Sequence, residues 1–150
     1  MLSKKSKYAI KALAYLASRH GQGPILIAEI AESKKIPVKF LESILLELRK
    51  AGFLGSKKGK GGGYFFEQDP STIKLASIIR IVNGPISILP CVSLYFYKHC
   101  EDCDETNCSL HNLAKEVRDA TLGILEHRTV NDLREEHPSG LQDIVENPCF

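Results

Sequence analysis

The hydrophobic pattern at the start of the chain has the period of an α-helix. Between Ser3 and about His20, apolar residues recur at helical spacing and so share one face of a first helix: Tyr8, Ala9, Ala12, Leu13 and Leu16. A shorter pattern begins at Ile27 and stops before Pro37, because the residue before a proline is biased away from the helical region. A third helix is predicted after Pro37 from four apolar residues at i, i+3, i+4 and i+7: Leu41, Ile44, Leu45 and Leu48.

A hairpin and two more helices are predicted farther along the chain. Short strand-like runs at 53–56 and 64–66 flank a loop rich in Gly and Lys, which is typical of an exposed turn. A fourth helical pattern, 75–82, is ended by the breakers at 83–85, and residues 85–107 show no sustained period. The next apolar residues have the spacing of a helix that packs lengthwise against a partner: Leu110, Leu113, Val117, Ala120 and Ile124.

These elements divide the chain into four predicted segments. The first segment, 1–84, has two helices across a tight turn followed by a basic hairpin, which is the layout of a winged helix-turn-helix DNA-binding domain. Residues 85–107 form a cysteine-bearing sensor loop, 108–136 a dimerisation helix with a short last helix, and 137–150 a tail. The predicted fold is therefore mainly α, with a two-stranded wing and a long C-terminal dimerisation helix.

Charge is distributed unevenly along the chain, although the net charge of the 150 residues is only +2. Residues 1–66 hold 13 Lys and Arg against 4 Asp and Glu, whereas residues 67–150 hold 7 against 14. The basic half is where a polyanion would bind. No apolar stretch approaches the roughly 18 residues of a membrane span and no secretory pattern is present, so we expect a cytoplasmic protein with no membrane contact.

The basic half offers two kinds of DNA contact. Lysines can neutralise phosphates and Tyr8 can donate a hydrogen bond to one, which gives affinity without sequence preference. At the exposed start of the third helix, Lys39 can donate to guanine and Glu42 can accept from a cytosine amine, with Ser43 as a lesser candidate. The predicted DNA-binding residues are Lys4, Lys5, Lys7, Tyr8, Lys34, Lys35, Lys39, Glu42, Ser43, Lys58 and Lys60.

Four of the five cysteines lie in one short segment, and the fifth, Cys149, is interpreted as incidental. An odd count in a chain without an export pattern fits a disulfide framework poorly. Thiolates confined to one loop suit zinc, iron–sulfur clusters or cuprous copper. The alternatives to metal binding are that the cysteines are buried structural residues or form reversible disulfides. For His111, the alternative is a solvated histidine on the surface. The candidate ligands are Cys91, Cys100, Cys103, Cys108 and His111.

Three motifs carry a resemblance to a known family: Ser6-Lys7-Tyr8-Ala9, the helix that ends in Leu48-Arg49-Lys50-Ala51-Gly52, and the wing Lys58-Gly59-Lys60-Gly61-Gly62-Gly63-Tyr64. They resemble the bacterial Rrf-type winged-helix transcription regulators, which include IscR, NsrR and CymR, and the resemblance extends to about Leu133. The resemblance implies a homodimeric transcription factor whose long helix crosses its twin. It also implies that base-reading positions fall on Lys39, Glu42 and Lys58.

The resemblance further implies a cofactor. In the cluster-binding members of this family, three cysteines between the fourth and fifth helices hold an iron–sulfur cluster, sometimes with a histidine of the dimer helix. Cys91, Cys108 and His111 fall where those ligands would. The loop between the fourth and fifth helices is longer in this chain than in those members, and it offers both Cys100 and Cys103 as the middle ligand. Two-iron and four-iron clusters both stay open, with zinc or a thiol–disulfide switch as alternatives.

A different class of protein is also considered. The cysteines alone are compatible with a small iron–sulfur or redox protein whose basic half binds a protein partner, but that interpretation leaves the wing unexplained. No enzyme is expected, because no set of nucleophile, base and orienting residue, no phosphate-binding loop and no paired carboxylates are apparent.

Overall fold

The computed structural model describes residues 2–134, so the predicted tail 137–150 and Cys149 lie outside the described residues. The helices in this part of the chain are α1 (Lys4–Ser18), α2 (Ile27–Lys34), α3 (Val38–Lys50), α4 (Leu75–Val82) and α5 (Ser109–Leu125). The strands β1 (Leu54–Lys57) and β2 (Gly63–Phe66) lie between α3 and α4, and short 3-10 turns span Pro90–Val92 and Val130–Leu133. Among residues 2–134, no helix has the length and apolar character needed to cross a bilayer.

Local sequence signals set the helix boundaries. The hydroxyl of Ser3 accepts a hydrogen bond from the N–H of Ser6 and so caps α1. Lys35 ends α2 in the left-handed conformation with a φ of 52°, which is uncommon for a residue with a side chain. Thr129 and Asp132 form a capping box, and the segment that follows is a 3-10 turn rather than an α-helix. The short last helix predicted in segment 108–136 is therefore this 3-10 turn.

The four helices α1, α2, α3 and α4 share one hydrophobic core. Every residue of the apolar stripe predicted on α3 is completely buried: Leu41, Ile44, Leu45 and Leu48 are all 0% exposed. Leu13 of α1, Ile78 of α4 and Val130 of the last turn belong to the same core. Since burial of one such side chain contributes about 1.5–3 kcal/mol, this face fixes the rotation of α3 and leaves its opposite face outside.

The wing is anchored to the helices through the backbone of the α1–α2 connection. β1 and β2 pair antiparallel, with Lys57 opposite Gly63. The N–H of Ile25 donates to the carbonyl of Tyr64 at 2.9 Å, and the N–H of Tyr64 donates back at 2.8 Å. Gly63 has a φ of 142°, and a Cβ built there would lie 2.2 Å from the Ile25 carbonyl oxygen. The glycine therefore allows the two backbones to approach.

The fifth helix, α5, packs on the rest of the chain over a small area. Ala114 is buried, whereas the long apolar side chains of the predicted seam are exposed: Leu110 54%, Leu113 55%, Val117 39% and Ile124 63%. Just after the helix, the carboxylate of Glu126 accepts from the Arg80 guanidinium of α4 at 2.7 Å. A continuous exposed apolar stripe of this kind marks a protein-interaction surface.

Replacing Gly63 with Ala tests the anchoring of the wing. We expect Gly63→Ala to lower the free energy of unfolding by at least about 2 kcal/mol, because the new Cβ meets the Ile25 backbone and the φ is unfavourable for alanine. Gly59→Ala is the matched control, since Gly59 also has a positive φ, 88°, but open space around it. Urea denaturation of both variants checks this, and equal losses for the two would contradict the steric explanation.

Candidate nucleic-acid interface and cysteine site

The outer face of α3 carries the residues predicted to read bases. Because the apolar stripe points into the core, Lys39, Glu42 and Ser43 are exposed on the opposite side. Within residues 2–134, none of these three side chains has a hydrogen bond or an ion pair. Their donors and acceptors are therefore available to a ligand that approaches this face.

The predicted residues of α1 divide into exposed and engaged side chains. Lys4 and Lys7 are exposed, and the Nζ of Lys4 lies 5.8 Å from the centre of the Tyr8 ring. Lys5 forms an ion pair with Glu47 of α3, so its charge is already partly neutralised within the chain. The Tyr8 ring meets Phe40 edge-on, with 5.6 Å between the ring centres. Sequence reasoning missed Phe40, which carried no motif and no charge.

The remaining predicted lysines lie on elements that pack directly on α3. Lys34 of α2 places its Nζ 5.6 Å from the centre of the Tyr15 ring, and Lys35 is exposed at the end of that helix. Lys58 and Lys60 are exposed at the tip of the wing. The base of the wing is tied to α3 because Arg49 donates to the hydroxyl of Ser56 in β1 at 2.8 Å. The basic side chains thus flank the outer face of α3.

The structure brings the four clustered cysteines together between the turn Pro90–Val92 and the start of α5. The sulfurs of Cys103 and Cys100 are 3.3 Å apart, and the thiol of Cys103 also hydrogen-bonds with Cys108. Cys91 is 8% exposed and packs against Cys100, and all four thiols are free. In the part of the chain that the structure describes, no three or more ligand side chains surround a common point as they would around a metal ion.

The thiols differ in their electrostatic surroundings. Cys108 caps α5, and the N–H of His111 donates to its sulfur at 3.4 Å, which lowers the pKa of the Cys108 thiol. Hydrogen bonds with Cys100 and Cys108 raise the pKa of Cys103 to about 12. Burial raises the pKa of the Cys91 thiol. Among these three residues, Cys108 is therefore the one that ionises most readily.

The side chain of His111 is half-buried against the protein. Its Nδ1 atom is buried, and no group in residues 2–134 forms a hydrogen bond with it. Leaving a buried polar atom unsatisfied costs about 1–3 kcal/mol, so this nitrogen is suited to a ligand. Imidazole nitrogens and thiolate sulfurs are donors that zinc, iron and copper accept. By the chemistry of their donors, these residues fit a cysteine-bound metal group.

Two residues that sequence reasoning did not assign to the site hold the cysteine loop in place. The carboxylate of Glu105 accepts from the N–H of Cys100 at 2.8 Å. The guanidinium of Arg118, with a side chain only 10% exposed, donates to the carbonyl of Val92 at 2.6 Å. Glu105 lies among the acidic residues of 101–105, which do not indicate this hydrogen bond, and no pattern in the sequence connects Arg118 with Val92.

The family model and the relatives found by comparison with known proteins indicate the same class of protein. The model of the Rrf2 family, described as an iron-dependent transcriptional regulator, matches residues 2–136. An rrf2-like HTH-type transcriptional regulator of Rhodobacter capsulatus is 39% identical over 137 residues, which cover 89% of this chain and 91% of that protein. The transcriptional regulator IscR of Escherichia coli is 30% identical over 132 residues, which cover 88% of this chain and 78% of IscR.

Comparison with solved structures indicates the same class of protein as these relatives. CymR, the global cysteine regulator of Bacillus subtilis, superposes with a TM-score of 0.74 at 31% identity, covering 89% of this chain and 95% of CymR. The likeness confirms the predicted fold, mainly helical with a winged helix and a two-stranded wing. The relatives are regulators rather than enzymes or small redox proteins. This chain therefore belongs to the Rrf2 family of DNA-binding transcriptional regulators.

Proposed function

We propose that this regulator is a homodimer that binds double-stranded DNA and senses iron–sulfur, redox or nitric-oxide status through an iron–sulfur cluster. The ligands are Cys91, Cys103 and Cys108, with Cys100 or His111 completing the site. The observation that carries the proposal is the gathering of the thiols in one small cluster, with Cys108 three residues before His111, whose Nδ1 is buried and has no hydrogen-bond partner within residues 2–134. The description of the matching family as iron-dependent supports the same conclusion.

The DNA-binding half of the proposal rests on the outer face of α3. Lys39, Glu42 and Ser43 read bases in the major groove, because they are exposed and have no partner among the described residues. Phosphates are contacted by exposed lysines of α1, of the α2–α3 connection and of the wing. Lys5 joins them only when its ion pair with Glu47 opens.

The dimer is formed along α5. Val117 is the least exposed of the four long seam residues, yet 39% of its side chain is open in the single chain. A second copy would cover this stripe, as the 3- and 4-residue steps of a lengthwise packed helix require. Two winged domains would then face half-sites about one helical turn of DNA apart.

The cysteine site and the dimer helix share a direct mechanical link. Cys108 is the cap of α5, and Cys91 lies next to Val92, whose carbonyl is held by Arg118 of the same helix. An iron–sulfur cluster, when bound, supplies a group that responds to oxidants and nitric oxide. The chain's part is to attach both cysteines to α5, Cys108 as its cap and Cys91 through the hydrogen bond from Arg118 to Val92. A change in their separation then moves the loop 85–107 against α5 and alters the placement of the winged domains.

A thiol–disulfide switch or structural zinc is the second candidate. It is favoured by the 3.3 Å contact between the Cys100 and Cys103 sulfurs and by the likeness to CymR, a cysteine regulator. With either alternative, DNA binding and dimerisation are as proposed above. The Cys100 and Cys103 thiols then form and open a disulfide, or bind zinc, and no iron is present.

The composition of the site is tested on protein purified without oxygen. We expect a brown sample with matching iron and sulfide contents, and we expect Cys91→Ser and Cys108→Ser each to lose most of the iron, because thiolate ligands suit such clusters. Cys149→Ser, outside the described residues, is the control that retains it. A colourless sample that contains zinc would show that the cysteines bind zinc instead of a cluster. Full iron retention by Cys108→Ser would contradict the ligand assignment.

The DNA contact is tested by a salt titration of duplex binding. For Lys7→Ala we expect the slope of log affinity against log salt concentration to fall by about 1 relative to the unmodified chain, since one phosphate contact is lost. Lys115→Ala is the matched control, because Lys115 is likewise an exposed helical lysine but lies on α5. Equal slopes for the two variants would argue against α1 as part of the interface.

The link through Arg118 is tested in reduced, metal-free protein by alkylation followed by mass spectrometry of each cysteine. Arg118→Met removes the hydrogen bond to Val92, so Cys91 becomes accessible more often, and we expect its alkylation rate to rise about five- to tenfold, the factor that a hydrogen bond of about 1 kcal/mol or slightly more provides. Lys115→Met, on the exposed side of α5, leaves the rate unchanged. An unaltered Cys91 rate in Arg118→Met would show that Arg118 does not secure this turn.

A further inference from the structure

An apolar side chain lies in the middle of the face that α3 turns away from the core. Leu46 is 38% exposed. On a helix, its surface neighbours are the residues three, four and seven positions away. Four of these are exposed polar residues, and none has a partner within residues 2–134: Lys39, Glu42, Ser43 and Lys50. Leu46 is thus surrounded by the side chains proposed to approach DNA.

The other exposed apolar residues of α3 have different positions. Phe40 lies at the side that faces α1, where it packs edge-on against the Tyr8 ring. Val38 belongs to the first turn, three residues before Leu41, and so borders the buried stripe. Neither lies between the polar residues as Leu46 does. Among these exposed apolar residues of α3, Leu46 is therefore the one that a ligand on the outer face would cover.

The charge around Leu46 favours DNA as the occupant of this face. Lys39 and Lys50 lie on the same face, and the supporting elements carry further exposed lysines. In the major groove, thymine presents a methyl group, which is the apolar feature that distinguishes it from cytosine and from the purines. A leucine between hydrogen-bonding residues matches such an edge, because it can bury the methyl while its neighbours bond to adjacent bases.

We propose that Leu46 reads the 5-methyl group of a thymine in each half-site, and that it is a specificity-determining residue beside Lys39, Glu42 and Ser43. The proposal rests on the proposed binding of α3 in the major groove. Leu46 is one turn after Glu42, about 6 Å along the helix axis. The thymine is therefore expected within about two base pairs of the pair that Glu42 reads, given a rise of about 3.4 Å per base pair.

The test removes only the methyl group. A duplex selected from a random pool by the unmodified protein is resynthesised with deoxyuridine in place of each thymine in turn, and affinities are measured by fluorescence anisotropy. At one thymine of each half-site, we expect deoxyuridine to weaken binding about fourfold, the factor that burial of one methyl group provides. For Leu46→Ala, the thymine and deoxyuridine duplexes should bind equally at that position and behave as with the unmodified protein elsewhere.

Val38→Ala is the matched control, because it also shortens an exposed apolar side chain of α3 and should keep the methyl response. Leu46→Val, which keeps part of the side chain, should show a reduced response and replaces Leu46→Ala if that variant binds too weakly. If the unmodified protein and Leu46→Ala discriminate thymine from deoxyuridine equally well, or if the unmodified protein discriminates them at no position, the assignment of Leu46 is wrong. If the unmodified protein selects no duplex at all, the proposed function fails with it.

Discussion

Burial of one face of α3 is the constraint on which the rest of the molecule depends. Leu41, Ile44, Leu45 and Leu48 are completely enclosed, and a rotation of the helix would expose them at a cost of about 1.5–3 kcal/mol each. The same burial directs Lys39, Glu42 and Ser43 outward. The wing is then held beside this face by the Ile25–Tyr64 backbone pair and by the bond from Arg49 to Ser56. The core therefore determines which side chains of α3 are available for the proposed DNA contact.

The cysteine site belongs to a second, smaller unit built on α5. Its small apolar cluster contains Cys91, Val92 and Ala114 and is separate from the main core. Cys108 begins α5 and Arg118 binds the turn of Cys91 from the same helix, so the site and the predicted dimer surface share one rigid element. In the proposed homodimer, a sensor at this site would influence both winged domains without touching either DNA-binding face, because α5 would connect the two copies.

The sequence was sufficient where structure follows from local rules, and insufficient where it depends on packing between distant residues. Helical periodicity predicted α3 and its buried stripe, and the Gly-rich motif predicted the wing, since both are encoded by neighbouring residues. The 3-10 turn Pro90–Val92 is too short to show a period. Three features arise only after the chain has folded, so no spacing rule indicates them: the ion pair of Lys5 with Glu47, the burial of the His111 Nδ1 atom and the hydrogen bond from Arg118 to Val92.

In the proposed function, the thiol site and the DNA-binding face of this chain are coupled. The most direct measurement is duplex affinity for one oxygen-free sample before and after removal of its bound metal or cluster by a chelator, at constant salt. We predict a change in affinity of about tenfold or more, which corresponds to a coupling of about 1.4 kcal/mol, within the usual range for linked sites. Equal affinities in the two states would contradict the account, because the cysteines would then not communicate with DNA binding.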